Sequence, residues 1–447
     1  MAKRGVAVRR ERTRCIARCF EQLTMAESVN VPIPESIPAK RNGSAWAPLR
    51  EPLFRSLWIA AVISYTGTWM QNVGAGWLMT QLTMSPLMVS LVQAAATLPV
   101  FLVILPAGAL ADMMDRRRLL LITQGWMVLA AGTLGILTLR SYVGPWTLLL
   151  FTFLLGLGAV MNDPAWQAIT PEIVSADQHT SAVALNSAGF NVARAVGPAL
   201  GGAVVAVAGS GLAFLLNAAS FFGVIFFLYH WKRPHLEEVK TGRVLEAMWT
   251  GIHYVRGAPL VKSVLIRTGA FSFAATSVLA LLPIIARPHG ATGYGLLLTS
   301  FGLGALAGAA VLPRLREKLS VDGLVAFAIL LFAGMTFAAG RVQMFGALCA
   351  VFFAAGTAWI GILACLNVAA QTMSPSWLRA RALSMYLLVL QGGMALGSAL
   401  WGAVATWVGV PAALMFASFS LVLGLSTIRR HRLTAQQLDL APSVVRD

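Results

Sequence analysis

Two ionisable residues stand in stretches where charge is otherwise absent. Asp163 ends the uncharged run 141–162, in Met161-Asn162-Asp163-Pro164, and Arg194 is the single Asp, Glu, Lys or Arg between residues 178 and 231. A charge in such a setting is costly and is by default a functional group with a partner. A carboxylate whose protonation depends on a nearby cation and on wetting can carry a proton. The same two groups could equally form a static pair that orients two helices, and both readings stay open at this stage. Arg194 falls about 14 residues into its run, roughly 21 Å along a helix at 1.5 Å per residue. Asp163 comes within roughly 8 Å of it along the same axis by that rise, so an ion pair is expected. Arg267 lies only a few residues into its run and is expected to snorkel to the boundary.

A second set could line a cavity. Trp69, Asn72 and Gly76 share one helix face, Phe271 and Phe273 open a later run, Asn367 and Gln371 share a face, and Gln391 follows in another. Amides among aromatics suit an amphipathic or moderately hydrophobic ligand, although packing and interhelical hydrogen bonds use the same residue types. Enzyme chemistry finds no support. His179, His230, His235, His253, His289 and His431 fall at run ends or in polar stretches, with no Ser–His or His–carboxylate cluster and no metal spacing. A phosphate-binding Gly-rich loop is absent, which removes ATP as an energy source. Cys15, Cys19, Cys349 and Cys365 make neither a zinc spacing nor a secreted disulfide pattern.

The elements that must position these residues follow from composition. Of 447 residues, 57% are hydrophobic and 11% charged, with a mean hydropathy of +0.74. Soluble domains carry about 25% charged residues, so a water-soluble globule is excluded. Uncharged runs such as 56–111, 288–313, 342–378 and 382–428 supply spans of the roughly 20 apolar residues that cross a bilayer. The longest ones break at Thr83-Met84-Ser85-Pro86, Gly209-Ser210-Gly211 and Gly409-Val410-Pro411, and the count becomes twelve helices. An even number puts both ends on one side. Of 34 Lys and Arg, 29 lie on that side and only Arg140, Arg287 and Arg341 on the other. Both termini are therefore expected in the cytoplasm. The net charge of +17 is accounted for by topology, and no nucleic-acid partner is implied.

The order of segments suggests a duplication. Gly108-Ala109-Leu110-Ala111 lies 200 residues before Gly308-Ala309-Ala310-Val311, and Gly197-Pro198-Ala199-Leu200 lies 200 before Gly397-Ser398-Ala399-Leu400. Gln167 to Pro171 recurs at Gln371 to Pro375, shifted by 204. The reading is a basic leader, 1–45, expected to be disordered, and two six-helix bundles, 46–230 and 260–428. A cytoplasmic linker, 231–259, joins them, and a tail, 429–447, comes last. Two such bundles rocking about a central site form a physical design for alternating access.

At this point a family is recognisable. The chain resembles the major facilitator superfamily over about residues 46–430, and within it the enterobactin-exporter-like, transmembrane secretion effector branch of drug and siderophore exporters. The residues carrying this are Ala45-Trp46-Ala47-Pro48-Leu49-Arg50, Gly67-Thr68-Trp69-Met70-Gln71-Asn72, and Leu105 to Asp112 leading into Asp115-Arg116-Arg117-Arg118. Asn191-Val192-Ala193-Arg194-Ala195-Val196-Gly197-Pro198 completes them. The resemblance implies an all-α membrane protein, twelve helices in two pseudo-symmetric halves. Gly108, Asp112, Arg116 and Arg117 match the superfamily's gating loop, with Met113 and Asp115 departing from it and Leu312 replacing the Asp in the second copy. Ala184, Ala193, Gly197, Pro198, Gly201 and Gly202 correspond to the helix-five pattern of exporters that exchange cargo for protons, with alanine in place of its first two glycines. The resemblance thus implies a monomeric secondary exporter of a small amphipathic molecule, driven by the proton gradient, without cofactor, metal or ATP. Proton-coupled uptake is the competing direction; a membrane enzyme or a non-transporting receptor is the reading from another class.

Overall fold

The computed structural model describes residues 44–231, 259–373 and 379–427, apart from the side chains of residues 105, 106, 108–113, 259 and 380. The leader, most of the linker, and the tail lie outside the described residues. Twelve rods account for the rest. The first six are α1 (Pro52–Leu82), α2 (Pro86–Met113), α3 (Arg116–Leu139), α4 (Pro145–Ile173), α5 (179–208) and α6 (210–230). The second six are α7 (Pro259–Ile285), α8 (Gly290–Lys318), α9 (Val321–Ala339), α10 (Phe345–Thr372), α11 (Arg379–Val408) and α12 (Val410–Gly424). Among the described residues, nine helical stretches are long and apolar enough to span a bilayer, α5 and α6 being joined in one of them.

The boundaries have local causes. Proline stands at the first position of α1, α2 and α4, where its missing N–H would have had no intrahelical partner. Gly209 and Gly409 adopt φ of 78° and 83°, a left-handed conformation that glycine takes without steric penalty. The chain thereby turns from α5 into α6, and from α11 into α12, with no intervening loop. These two glycines are 200 residues apart. So are the ends of α3 and α9, the starts of α4 and α10, and the starts of α5 and α11. The duplication is thus visible in backbone geometry as well as in short sequence matches.

Within the first half, α1 packs on the α5–α6 pair, α2 on α4, and α3 on both α4 and α6; in the second, α8 packs on α10, α7 on α11, and α9 on α10 and α12. The halves meet through α2 against α11 and α5 against α8. The second half is one continuous apolar core, whereas the first is divided into several smaller clusters.

Candidate transport cavity and its surroundings

Where the halves meet, eight helices enclose a cavity of about 320 Å³. Trp69, Asn72 and Gly76 come from α1, Gln93 from α2, Arg194 and Pro198 from α5, Tyr294 and Phe301 from α8, Trp359 from α10, and Gln391 from α11. The pocket is mostly apolar and aromatic, with a few convergent amides, as small-molecule sites are. Four of the expected lining groups, Trp69, Asn72, Gly76 and Gln391, are therefore brought together. Phe271 is not among them: it is 3% exposed and packs on Phe332 and Trp359, at ring-centroid distances of 5.6 and 5.4 Å. Its helix face turns into the core of the second half. Asn367 and Gln371 also lie away from the central cavity, near the end of α10, where the Gln371 amide donates to Asn367 Oδ1 at 2.6 Å. One helical turn separates them, so each satisfies the other.

The helix-five glycines have distinct tasks. A Cβ on Gly197 would lie 2.6 Å from Cβ of Trp69, and one on Gly201 would lie 2.7 Å from Cα of Met70. Both therefore seat α5 against α1. Gly202 faces the other half, where a Cβ would meet the Ala291 carbonyl oxygen at 2.7 Å. Ala193 is fully buried, while Ala184 is exposed and touches neither seam. Small residues let helices approach in a bilayer, and here they draw α5 toward two neighbours at once.

Arg194 and Asp163 are not joined. Arg194 places its guanidinium carbon 6.0 Å from the Trp69 ring centroid and faces the central cavity. Asp163 is exposed to two other cavities, of about 150 and 690 Å³. No direct ion pair links the two among the described residues. The row of Tyr65, Phe190 and Trp69 stands between, with centroids 5.4 and 6.4 Å apart along the row. Distance along the membrane axis had suggested a pair, but the two side chains open onto different cavities. Next to Asp163, the Gln124 amide donates to Asn162 Oδ1 at 3.0 Å. Gln124 Oε1 and Trp166 Nε1 have no protein partner, so the small cavity offers an acceptor and a donor beside the carboxylate. Arg267 departs from expectation as well: it is 3% exposed and pairs with Asp322 at the start of α9 rather than reaching the boundary.

The gating-loop residues divide. Gly108 and Asp112 belong to the end of α2, and their surroundings lie outside the described side chains. Arg116 donates to Ala168 O at 3.1 Å and pairs with Glu172 at 2.8 Å. Arg117 donates from Nε to Leu228 O and from Nη2 to Tyr229 O, both at 2.7 Å. It thus caps the unsatisfied carbonyls at the end of α6. All of these partners are in the first half. Among the described residues, the polar contacts between the halves lie away from the termini. There Arg287, after α7, donates to the Thr80 and Thr83 carbonyls of the α1 end at 3.0 and 2.9 Å. Leu87 N donates to Thr406 Oγ1 at 3.2 Å, and the Gly295 face is pressed against Pro198 O and Gly202.

The profile of the transmembrane secretion effectors, a family of the major facilitator superfamily, matches residues 43–445. The chain belongs to that family. Among its relatives, the multidrug efflux pump Tap of Mycolicibacterium fortuitum is 28% identical over 88% of this chain and 98% of that protein. The enterobactin exporter EntS of Salmonella paratyphi A is 25% identical over 87% and 96%. A bacterial homologue of the human lysosomal transporter Spinster, solved in an inward-facing and occupied conformation, superposes with a TM-score of 0.70. It is 14% identical, covering 88% of this chain and 99% of that one, and shows a shared fold. The chain is thus a multi-pass inner-membrane transporter of small molecules and not an enzyme.

Several lining groups of this transporter escaped sequence reasoning. Gln93, an amide inside an apolar helix, carried a signal that could have been read. Tyr294, Phe301 and Trp359 carried none, because aromatic residues in apolar runs are common and only the packing decides which of them face a cavity.

Proposed function

We propose that this transporter exports a small amphipathic molecule by alternating access, as a monomer and in exchange for protons, with both termini in the cytoplasm. The observation that carries the reading is the central cavity lined from both halves, beside a seam whose named contacts concentrate on the side away from the termini. With the excess of Lys and Arg in the cytoplasm, that seam is the periplasmic one, and the arrangement is closed outward. Export as the direction is supported by the helix-five pattern and by exporters among the relatives. The bundles taken to move are 46–230 and 260–428, joined by the linker 231–259.

The division of roles follows the chemistry. Asp163 is the proton carrier, because it faces cavities large enough for several waters at about 30 Å³ each while the cargo cavity holds no carboxylate among its lining residues. Asp112 with Arg116 and Arg117 forms the cytoplasmic gate: Arg116 and Arg117, held within the first half here, exchange partners when the cytoplasmic side closes. The proton gradient is the energy source, with neither cofactor nor ATP.

Three measurements test this. Spin labels at Tyr142 and Met344, exposed on the outer rims of the two halves, should change separation when pH or cargo is varied; a fixed distance overturns alternating access. In inverted vesicles, an imposed pH gradient, acid inside, should drive cargo into the lumen. Movement in the opposite sense would make the protein an uptake symporter. Asp112→Asn should slow cycling while the protein remains in the membrane, and unchanged flux in a normally expressed variant would remove Asp112 from the gate.

A further inference from the structure

We infer that the cargo is an amphipathic organic anion whose charged group is held by Arg194 in the central cavity. The inference rests on the exporter reading above and specifies the chemistry of its site. Among the described residues lining that cavity, Arg194 is the single formally charged one. A guanidinium keeps its proton in proteins, so the cavity carries a fixed positive charge. The face of Trp69 at 6.0 Å attracts that charge without neutralising it. Asp163, the nearest carboxylate by sequence expectation, opens onto other cavities.

An isolated cation in a low-dielectric site is costly, and the cost falls when an anion enters to pair with it. Arginine is suited to this task, since its planar fork meets a carboxylate with two parallel hydrogen bonds. The remaining walls fit the other end of such a molecule. Asn72, Gln93 and Gln391 can bond to polar substituents, while Tyr294, Phe301 and Trp359 present aromatic surface. A cationic amphiphile would meet the same charge as repulsion and is disfavoured. Export also gains from this choice, because an inside-negative membrane potential drives an anion outward and a proton inward.

The duplication sharpens the point. Two hundred residues on from Arg194 stands Met394, which lines the same cavity from the opposite half. One copy of the repeat therefore supplies a charge and the other an apolar, polarisable wall.

The test uses the full chain purified in detergent and three probes with one body: naphthalene-2-carboxylate, naphthalene-2-carboxamide and 2-naphthylmethylammonium. By calorimetry the carboxylate should bind about tenfold tighter than the amide, with the ammonium weakest. Arg194→Gln should bring carboxylate and amide within about twofold of each other, and Arg194→Lys should retain part of the preference. The wild-type ranking alone is decisive should either variant fail to fold. Equal affinities, a preference for the ammonium, undetectable carboxylate binding, or a preference that survives Arg194→Gln would each overturn the inference. Should the charge preference fail while the labels at Tyr142 and Met344 still move, the exporter reading stands without its anionic cargo. Immobile labels with an intact preference would sink the exporter reading and keep the anion site.

Discussion

The two halves of the molecule share a backbone plan and differ in what fills it. From the end of α3 to the start of α6 their helix boundaries correspond, within one residue, at an offset of 200 residues. At that offset Gln124 answers to Leu324, Asn162 to Ile362, Asp163 to Leu363, Phe190 to Leu390 and Arg194 to Met394. Leu324 and Ile362 join one apolar core that runs from Val261 to Leu421. Their counterparts form a hydrogen-bonded amide pair beside the cavity of about 150 Å³. The comparison teaches that duplication supplies the scaffold twice, while the buried ionisable groups differ in placement: Asp163 and Arg194 face cavities in the first copy, and Arg267 is paired with Asp322 in the second. A second copy with leucine, isoleucine and methionine where the first has Gln124, Asn162 and Arg194 avoids the desolvation cost of those groups and is the more continuously packed of the two.

Removing the distinctive charge of the first half should have the largest effect. Asp163→Asn is expected to reduce pH-driven flux to background while cargo still exchanges down its own gradient, measured in vesicles with and without an imposed pH difference. Full pH-driven flux in this variant would place the proton elsewhere and end the contrast between the halves. Next comes the packing of the second half. A Cβ on Gly356 would collide with the Phe301 carbonyl oxygen, so Gly356→Ala should cost about 1–3 kcal/mol or more. Gly125 of the first half has open space around it, and Gly125→Ala should be neutral or stabilising by up to about 1 kcal/mol. Thermal unfolding in detergent checks both, and equal effects would contradict the more continuous packing assigned to the second half.

Smaller effects probe the seam and the repeat. Arg287→Ala removes two hydrogen bonds to the end of α1 and should favour outward opening by about 1 kcal/mol, a several-fold population shift seen as a longer Tyr142–Met344 label distance. No shift would show that the glycine-rich helix contacts alone hold that side. The smallest expected signal is a coupling. Leu324→Gln and Ile362→Asn should each destabilise the second half, and the double variant should recover about 0.6 kcal/mol by rebuilding the amide pair. Strict additivity would mean that the two halves are less superposable than their boundaries suggest.

Much of this architecture was legible in the residues. The breaks at Ser85-Pro86, Gly209 and Gly409 all fall where proline or glycine stands, because these residues act on the backbone directly. Trp69, Asn72 and Gln391 were recognisable as cavity residues, since polar or amphipathic groups in apolar helices require a partner. Phe271, Asn367 and Gln371 were not separable from them by type, and the structure sends them elsewhere. The expected pair of Asp163 with Arg194 failed for a related reason. Helical rise gives depth along the membrane, but says nothing of the azimuth at which two side chains leave their helices.

By itself the sequence determined the membrane as solvent, twelve rods, their breaks and the doubled plan. These depend on hydropathy, local backbone preference and spacing, all of which act over a few residues. Only the tertiary structure decided which polar groups share a cavity, that Arg267 is locked to Asp322, and that Arg287 bridges the halves. Those outcomes depend on how helices distant in the chain are rotated against one another, and that rotation is set by many small contacts summed over the whole bundle.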